Sequence, residues 1–248
     1  GIKVVAVGSH DTASAVAGVP LRPTKDSAYI SSGTWSLVGL ELDGPVTDAK
    51  ALSYNITNEA GVADRIRFIK NVSGMWLLEE SLRYWKSQGI ALTAADLARD
   101  ASSLNRKQII DTNDPRFAKP GPMPELIADY CRETGQEVPA TPVEFARCIF
   151  DSLAHAYAQS LRQLEDAAGV KVKEINIVGG GSSNELLNQL TADATGLPVI
   201  AGPVEATVMG NLIIQMMSAG WIDSLEAGRT LIAKSSDRKT FQPQSLGS

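Results

Sequence analysis

Histidine and cysteine are scarce: His10, His155, Cys131 and Cys148 are all that 248 residues contain. None of them has the spacing of a metal site, and two cysteines are too few for a disulfide scaffold. A Ser-His-Asp triad would have to draw on one of the two histidines, and His155 falls mid-way along an expected helix, as a structural or surface residue. Runs of lysine and arginine are absent as well. The net charge of −5 is spread over intermixed acidic and basic residues, which speaks against a nucleic-acid or anionic-membrane surface. No apolar stretch approaches the ~20 residues that span a bilayer, and no charged-then-apolar leader opens the chain. The expectation from these gaps is a cytoplasmic protein with reduced thiols. A Cys131–Cys148 bridge stays open, because each lies on an expected helix and the two helices are consecutive.

Two nucleotide signatures are missing too. There is no Gly-Lys-Ser/Thr of a Walker P-loop, and the glycine triplet 179–181 is followed by Asn184 where a Rossmann fingerprint needs its third glycine. The chain also lacks a starting methionine: Gly1 runs at once into Ile2–Val7, so a piece of a longer protein is expected.

What is present reads as an ordinary folded chain, 44% apolar and 21% charged, long enough for one large domain or two small ones. Ile2–Val7 is strand-like, followed by a turn at Gly8–Thr12 and a small-residue helix over Ala13–Ala17. Ala28–Ser32 and Trp35–Leu40 predict a hairpin about Gly33-Thr34, and Ile66–Lys70 a further strand. Helices follow over Met75–Ser87 and over Thr93–Ser103, the latter with Thr93 as N-cap. Trp76 and Trp85 read as core or groove residues, and Glu79-Glu80 as a solvated helix face. After a Pro/Gly loop at Lys119–Pro124, Thr141-Pro142-Val143-Glu144 opens a long helix that Gly169 stops. Its apolar stripe includes Phe145, Ile149, Leu153, Tyr157, Leu161 and Leu164. A strand at Glu174–Val178, a helix to Gly196, a strand at Pro198–Ile200 and helices over Glu205–Ala219 and Leu225–Ala233 complete the chain. Hairpin strands first, then strand–helix alternation, predict an α/β layer of a mixed sheet with packed helices.

Three places could carry chemistry. Asp11 sits at a strand-to-helix junction, where strand ends open onto a crevice, and its plain alternative is an N-cap. Ser31-Ser32-Gly33-Thr34 offers hydroxyls and backbone N–H groups at a hairpin tip, fit for phosphate oxygens or simply a turn. Gly179-Gly180-Gly181 leaves a flat surface beside a helix start, where a planar ligand or a phosphate could lie.

The order of these segments resembles the FGGY carbohydrate kinases. Val7–Ala15 is similar to their Gly-x-His-Asp-Thr segment, Tyr29–Ser36 to their phosphate hairpin, and Val178–Gly181 with Asn184 and Gln189 to their adenosine segment. Glu205-Ala206-Thr207 with Gly210-Asn211 resembles the helix that closes that pocket. Ser31–Gly39, Arg67–Leu78, Cys148–Ala154 and Val199–Thr207 resemble one branch of the family, whose acceptor is L-rhamnulose. The resemblance implies an actin-like, RNase H-like fold of two lobes. Residues 1–248 would be the second lobe, with a helical insertion around 75–140. It implies Asp11 as catalytic base and Gly33, Thr34, Asn71, Gly179, Gly180, Gly181 and Asn184 as ATP contacts, with no metal ligand in this chain. Glu79 stands where an amide is expected and is left out of that set. The partners implied are ATP with Mg2+, a ketose and the first lobe, without which the chain would be inactive. Fuculose, xylulose or glycerol as acceptor, or a non-catalytic actin-like sugar- or nucleotide-binding protein, remain as alternatives.

Overall fold

The computed structural model describes residues 4–22, 26–105 and 108–244. Its frame is one seven-stranded sheet in the order β3-β4-β2-β1-β5-β6-β7. The strands are β1 (Ser27–Ser32), β2 (Trp35–Leu42), β3 (Thr57–Ala60), β4 (Ile66–Ser73), β5 (Glu174–Val178), β6 (Val199–Ala201) and β7 (Lys239–Phe241). The predicted hairpin is β1–β2, with Ser32 opposite Ser36 next to the tip. β4 pairs antiparallel with β2 and with β3, whereas β5 runs parallel to β1 and to β6. The sheet is mixed, as expected.

Side chains alternate across it. Ala28, Ile30, Val38, Phe68, Val72, Ile175 and Ile177 face one side, onto α6 (Pro142–Ala168). That helix begins with a full capping box: Thr141 Oγ1 accepts from Glu144 N–H while the Glu144 carboxylate accepts from Thr141 N–H. It ends at Gly169, which takes the left-handed conformation at φ 66°. Ile149, Phe150, Leu153 and Leu164 on its stripe are fully buried, and each such side chain contributes roughly 1.5–3 kcal/mol of transfer free energy. The Tyr157 phenol shares a 2.7 Å hydrogen bond with Ser36 Oγ, and burial pushes its pKa up.

Tyr29, Ile69 and Val178 face the opposite side, onto Ala15 and Val16 of α1 (Asp11–Ala17) and Ala206 of α8 (Ala206–Ser218). The two helices meet through glycine: a Cβ on Gly210 would lie 1.8 Å from the Ser14 carbonyl oxygen, and one on Gly18 would lie 2.2 Å from that of Ala206. α9 (Leu225–Ser235) closes this face with Leu225 and Ile232.

Between β4 and α6 the elements among the described residues are all helical: α3 (Trp76–Ser87), α4 (Ala94–Ala101), a 3₁₀ turn at Pro115–Phe117 and α5 (Met123–Glu133). Trp85 is core, and Trp76 Nε1 donates to the Phe117 carbonyl. Cys131 on α5 and Cys148 on α6 are buried and unbridged. His155 is exposed.

Three expectations need correction. Residues 4–7 form no strand: Val4 is exposed, and the run pairs with no strand among the described residues; residues 1–3 lie outside them. The β-branched pattern is strand-like, but a strand requires a neighbour to complete its hydrogen bonds. Pro124 belongs to the first turn of α5 instead of the loop, a place where its missing N–H costs nothing. Glu80 is buried, paired with Arg83 and accepting from Gly121 N–H, so only Glu79 is solvated. The sequence reading also passes over three short elements, α2 (Ala49–Ser53), β3 and β7.

Candidate active site

Helix α7 (Glu185–Thr195) follows β5 through a 3₁₀ turn at Gly180–Ser183. The end of β5 lies beside that of β1, Val178 being opposite Ser31, so this turn and the β1–β2 tip are neighbours. Between them, α3, α4 and α7, a cleft of about 1020 Å³ opens. Gly33, Thr34, Gly180, Gly181 and Asn184 all line it.

Each glycine of the triplet has its own reason. Gly179 sits at φ 83°, ψ −175°, a region other residues avoid, and a Cβ there would come within 2.7 Å of the Ser32 carbonyl oxygen. A Cβ on Gly181 would lie 2.0 Å from Ser32 Oγ. Both are required by packing on β1. Gly180 is different: its Cβ would meet nothing within 4 Å. It is bare floor facing the cleft.

The tip is held from α3. Met75 N–H donates to the Gly33 carbonyl at 2.9 Å and Trp76 N–H to that of Thr34 at 3.1 Å. This closeness needs Gly74, where a Cβ would be 2.5 Å from the Gly33 oxygen. The Thr34 hydroxyl faces Glu79, 3.3 Å from Oε2. Asn184 caps α7, its Oδ1 accepting from Leu187 N–H at 3.0 Å. Gln189 lines the cleft too, donating to Asp193 and to the Gln242 carbonyl. The far wall is apolar: Leu78, Leu82, Ala95, Ala98, Leu186 and Phe241. The sequence reading leaves Glu79, which lines the cleft, out of the ATP contacts, and it misses Gly74 and this wall. Only the helical periodicity of α3 and α4 hinted at it.

Asp11 and Asn71 are outside the cleft. Asn71, on β4 opposite Leu37, is exposed on the α1 face, between Arg67 and the strand end beside the tip. Asp11 is exposed in the first turn of α1, and its Oδ1 accepts from Thr12 N–H at 2.7 Å. It is not the N-cap: His10 is, with Nδ1 accepting from Thr12 N–H at 3.3 Å. The plain capping account of Asp11 therefore falls away. Helix α8 packs on α1 and contributes no residue to the cleft lining.

Residues 28–219 match the model of the C-terminal domain of the FGGY family of carbohydrate kinases. The chain belongs to that family. A rhamnulokinase of Halalkalibacterium halodurans is 44% identical over 97% of this chain and 50% of its own length. One of Enterobacter sp. (strain 638) is 47% identical over 98% of this chain and 49% of its own. The chain thus spans about half the length of the curated relatives it matches. Among solved structures, a gluconate kinase from Lactobacillus acidophilus superposes with a TM-score of 0.62 at 15% identity, over 94% of this chain and 45% of that one. A glycerol kinase from Plasmodium falciparum, with ADP, gives 0.61 at 15% identity, over 94% and 46%. The fold of this FGGY domain is actin-like.

Proposed function

We propose that this FGGY domain is the ATP-binding half of a kinase that passes the γ-phosphate to a ketose, L-rhamnulose at O1. The observation that carries the reading is the convergence of the Gly33-Thr34 tip and the Gly180–Asn184 turn on one cleft with an apolar far wall. Adenine fits between that wall and the bare floor at Gly180, and the phosphates fit over the tip, where Thr34 donates to them. The phosphate chain then leaves the cleft across the ends of β1 and β5 toward the α1 face, past Asn71. Gly181 and Asn184 line the cleft beside that floor, and Gly179 shapes it from behind. On the α1 face, Asp11 takes the proton from the acceptor hydroxyl as that oxygen attacks the γ-phosphorus. A positioned base of this kind contributes about 10²–10⁴-fold, and positioning with charge stabilisation supplies the rest.

Mg2+ normally accompanies such a transfer, neutralising phosphate charge. Among the described residues no group of three His, Cys, Asp or Glu side chains could hold a metal ion. This domain's own part in the reading is the nucleotide floor and the base. The relatives are about twice as long, and the reading assigns the ion and most of the sugar pocket to a first lobe. No helix among the described residues is long and apolar enough to cross a membrane, and cytoplasmic placement stays part of this proposal.

Asp11→Asn in the complete two-lobed protein tests the reading. Turnover is expected to fall by at least about 10²-fold with ATP affinity unchanged; retained turnover removes Asp11 from the role. The solved relatives act on other acceptors, gluconate and glycerol among them by their names, so a ketose and polyol panel on the same protein decides the sugar. ATP binding without any phosphoryl transfer would favour a non-catalytic sugar- or nucleotide-binding protein.

A further inference from the structure

Helix α1 has seven residues, well short of the ~12–15 at which isolated helices become even marginal. The segment before it pairs with no strand among the described residues. Its placement therefore depends on what grips it: its buried face packs on the sheet and on α8, and two buried arginines hold its ends. Arg229 holds the C-terminal end: it donates to the carbonyls of Val16 at 2.9 Å and Ala17 at 3.3 Å and pairs with Glu41 at 2.7 Å. Those are the orphan carbonyls of a helix end, so this contact is ordinary capping by a cation.

Arg67 holds the other end. It is 3% exposed on β4, with Nη2 on Glu59 at 2.8 Å, Nε on the Ala60 carbonyl at 3.2 Å and Nη1 on Thr12 Oγ1 at 2.7 Å. Among the described residues no other sheet side chain hydrogen-bonds the first turn of α1. The helix dipole favours an anion, not a guanidinium, at this end. Dipole stabilisation therefore does not account for the contact; what Arg67 adds is a fixed point. From Thr12 the fix passes to the carboxylate. Thr12 Oγ1 is 2.8 Å from His10 Nδ1, Thr12 N–H donates to Asp11 Oδ1 at 2.7 Å, and His10 Nδ1 is 2.8 Å from the same oxygen.

We propose that Arg67 is a positioning residue for the Asp11 carboxylate, acting through the Thr12 hydroxyl. This rests on the reading of Asp11 as the base. Glu59 and the Ala60 carbonyl fix the guanidinium, the guanidinium fixes Thr12, and Thr12 sets where an otherwise exposed carboxylate stands. A displacement of ~1 Å at a reacting group can cost about 10²-fold in rate, so a link of this kind shows in kcat.

The test uses the complete two-lobed protein. Thr12→Val, which removes the hydroxyl and keeps the shape, is expected to lower kcat about tenfold with KM for ATP and the urea midpoint unchanged. Thr12→Ser restores kcat. Arg67→Met lowers kcat further, and adding Thr12→Val to it changes nothing more, because both break one chain of contacts. Arg67→Met also removes a buried ion pair, so the two Thr12 variants decide between the outcomes if it fails to fold. Wild-type kcat in Thr12→Val overturns the proposal, as does a loss of kcat that tracks the urea midpoint and is not restored by serine. Asp11→Asn separates the two levels: if it stays active, the base assignment fails; if it is inactive while Thr12→Val is normal, only the positioning role fails.

Discussion

A methyl group at residue 180 and one at residue 181 meet different surroundings, although the two glycines are adjacent. At 181 the new Cβ would sit 2.0 Å from Ser32 Oγ and 2.6 Å from Ser32 Cβ, both inside the fold. At 180 it projects into open space over the cleft. Gly181→Ala is therefore expected to destabilise by about 1–3 kcal/mol, as overpacking does, seen as a lower urea midpoint. Gly180→Val should keep the midpoint near wild type and weaken ATP binding, measured by titration calorimetry. Equal losses of stability at both sites would remove the floor role of Gly180. The glycine triplet was legible as unusual in the sequence. Which member faces a ligand depended on where β1 runs beside it.

Elements with their own chemical punctuation were legible at both ends. Thr141, Pro142, Glu144 and Gly169 fix α6 by local bonds, and the structure has each of them in its role. Thr141→Ala removes the cap and is expected to cost about 1 kcal/mol; chemical denaturation measures it, and the cleft should be untouched, since Thr141 does not line it. The hairpin was legible for the same reason, a glycine turn between alternating strands. Residues 4–7, β3 and β7 were misread or missed because short strands are decided by their neighbours and not by their own pattern. Glu80 belongs here too. A charged residue in a helical run reads as solvated until Arg83 and the Gly121 N–H are seen to satisfy it.

For the molecule as a whole, one sheet divides the chain into two faces. The cleft is built with the helices around α6, while Asp11, Thr12, Arg67 and Asn71 belong to the α1 face. The proposed reaction needs both, with the phosphates crossing between them at the ends of β1 and β5. Asp11 is open to solvent in this chain, where a base cannot exclude water from the transfer. The 248-residue chain on its own is accordingly expected to bind ATP and to phosphorylate no ketose, and the complete protein is expected to do both. A coupled ADP-release assay over a ketose panel checks this, and measurable transfer by the isolated chain would contradict the two-lobe reading.

The amino-acid sequence alone determined the mixed α/β class, the capped ends of the long helix, the hairpin tip, the glycine turn and the kinship with FGGY kinases. All of these depend on contacts between residues close in the chain, or on motifs a few residues long. Only the tertiary structure decided that five of the expected residues share one cleft, that Gly180 alone is bare, and that Arg67 reaches Thr12. Those facts join residues that are 55 to about 150 positions apart, and no local rule of spacing or propensity constrains what the packing of a sheet brings together.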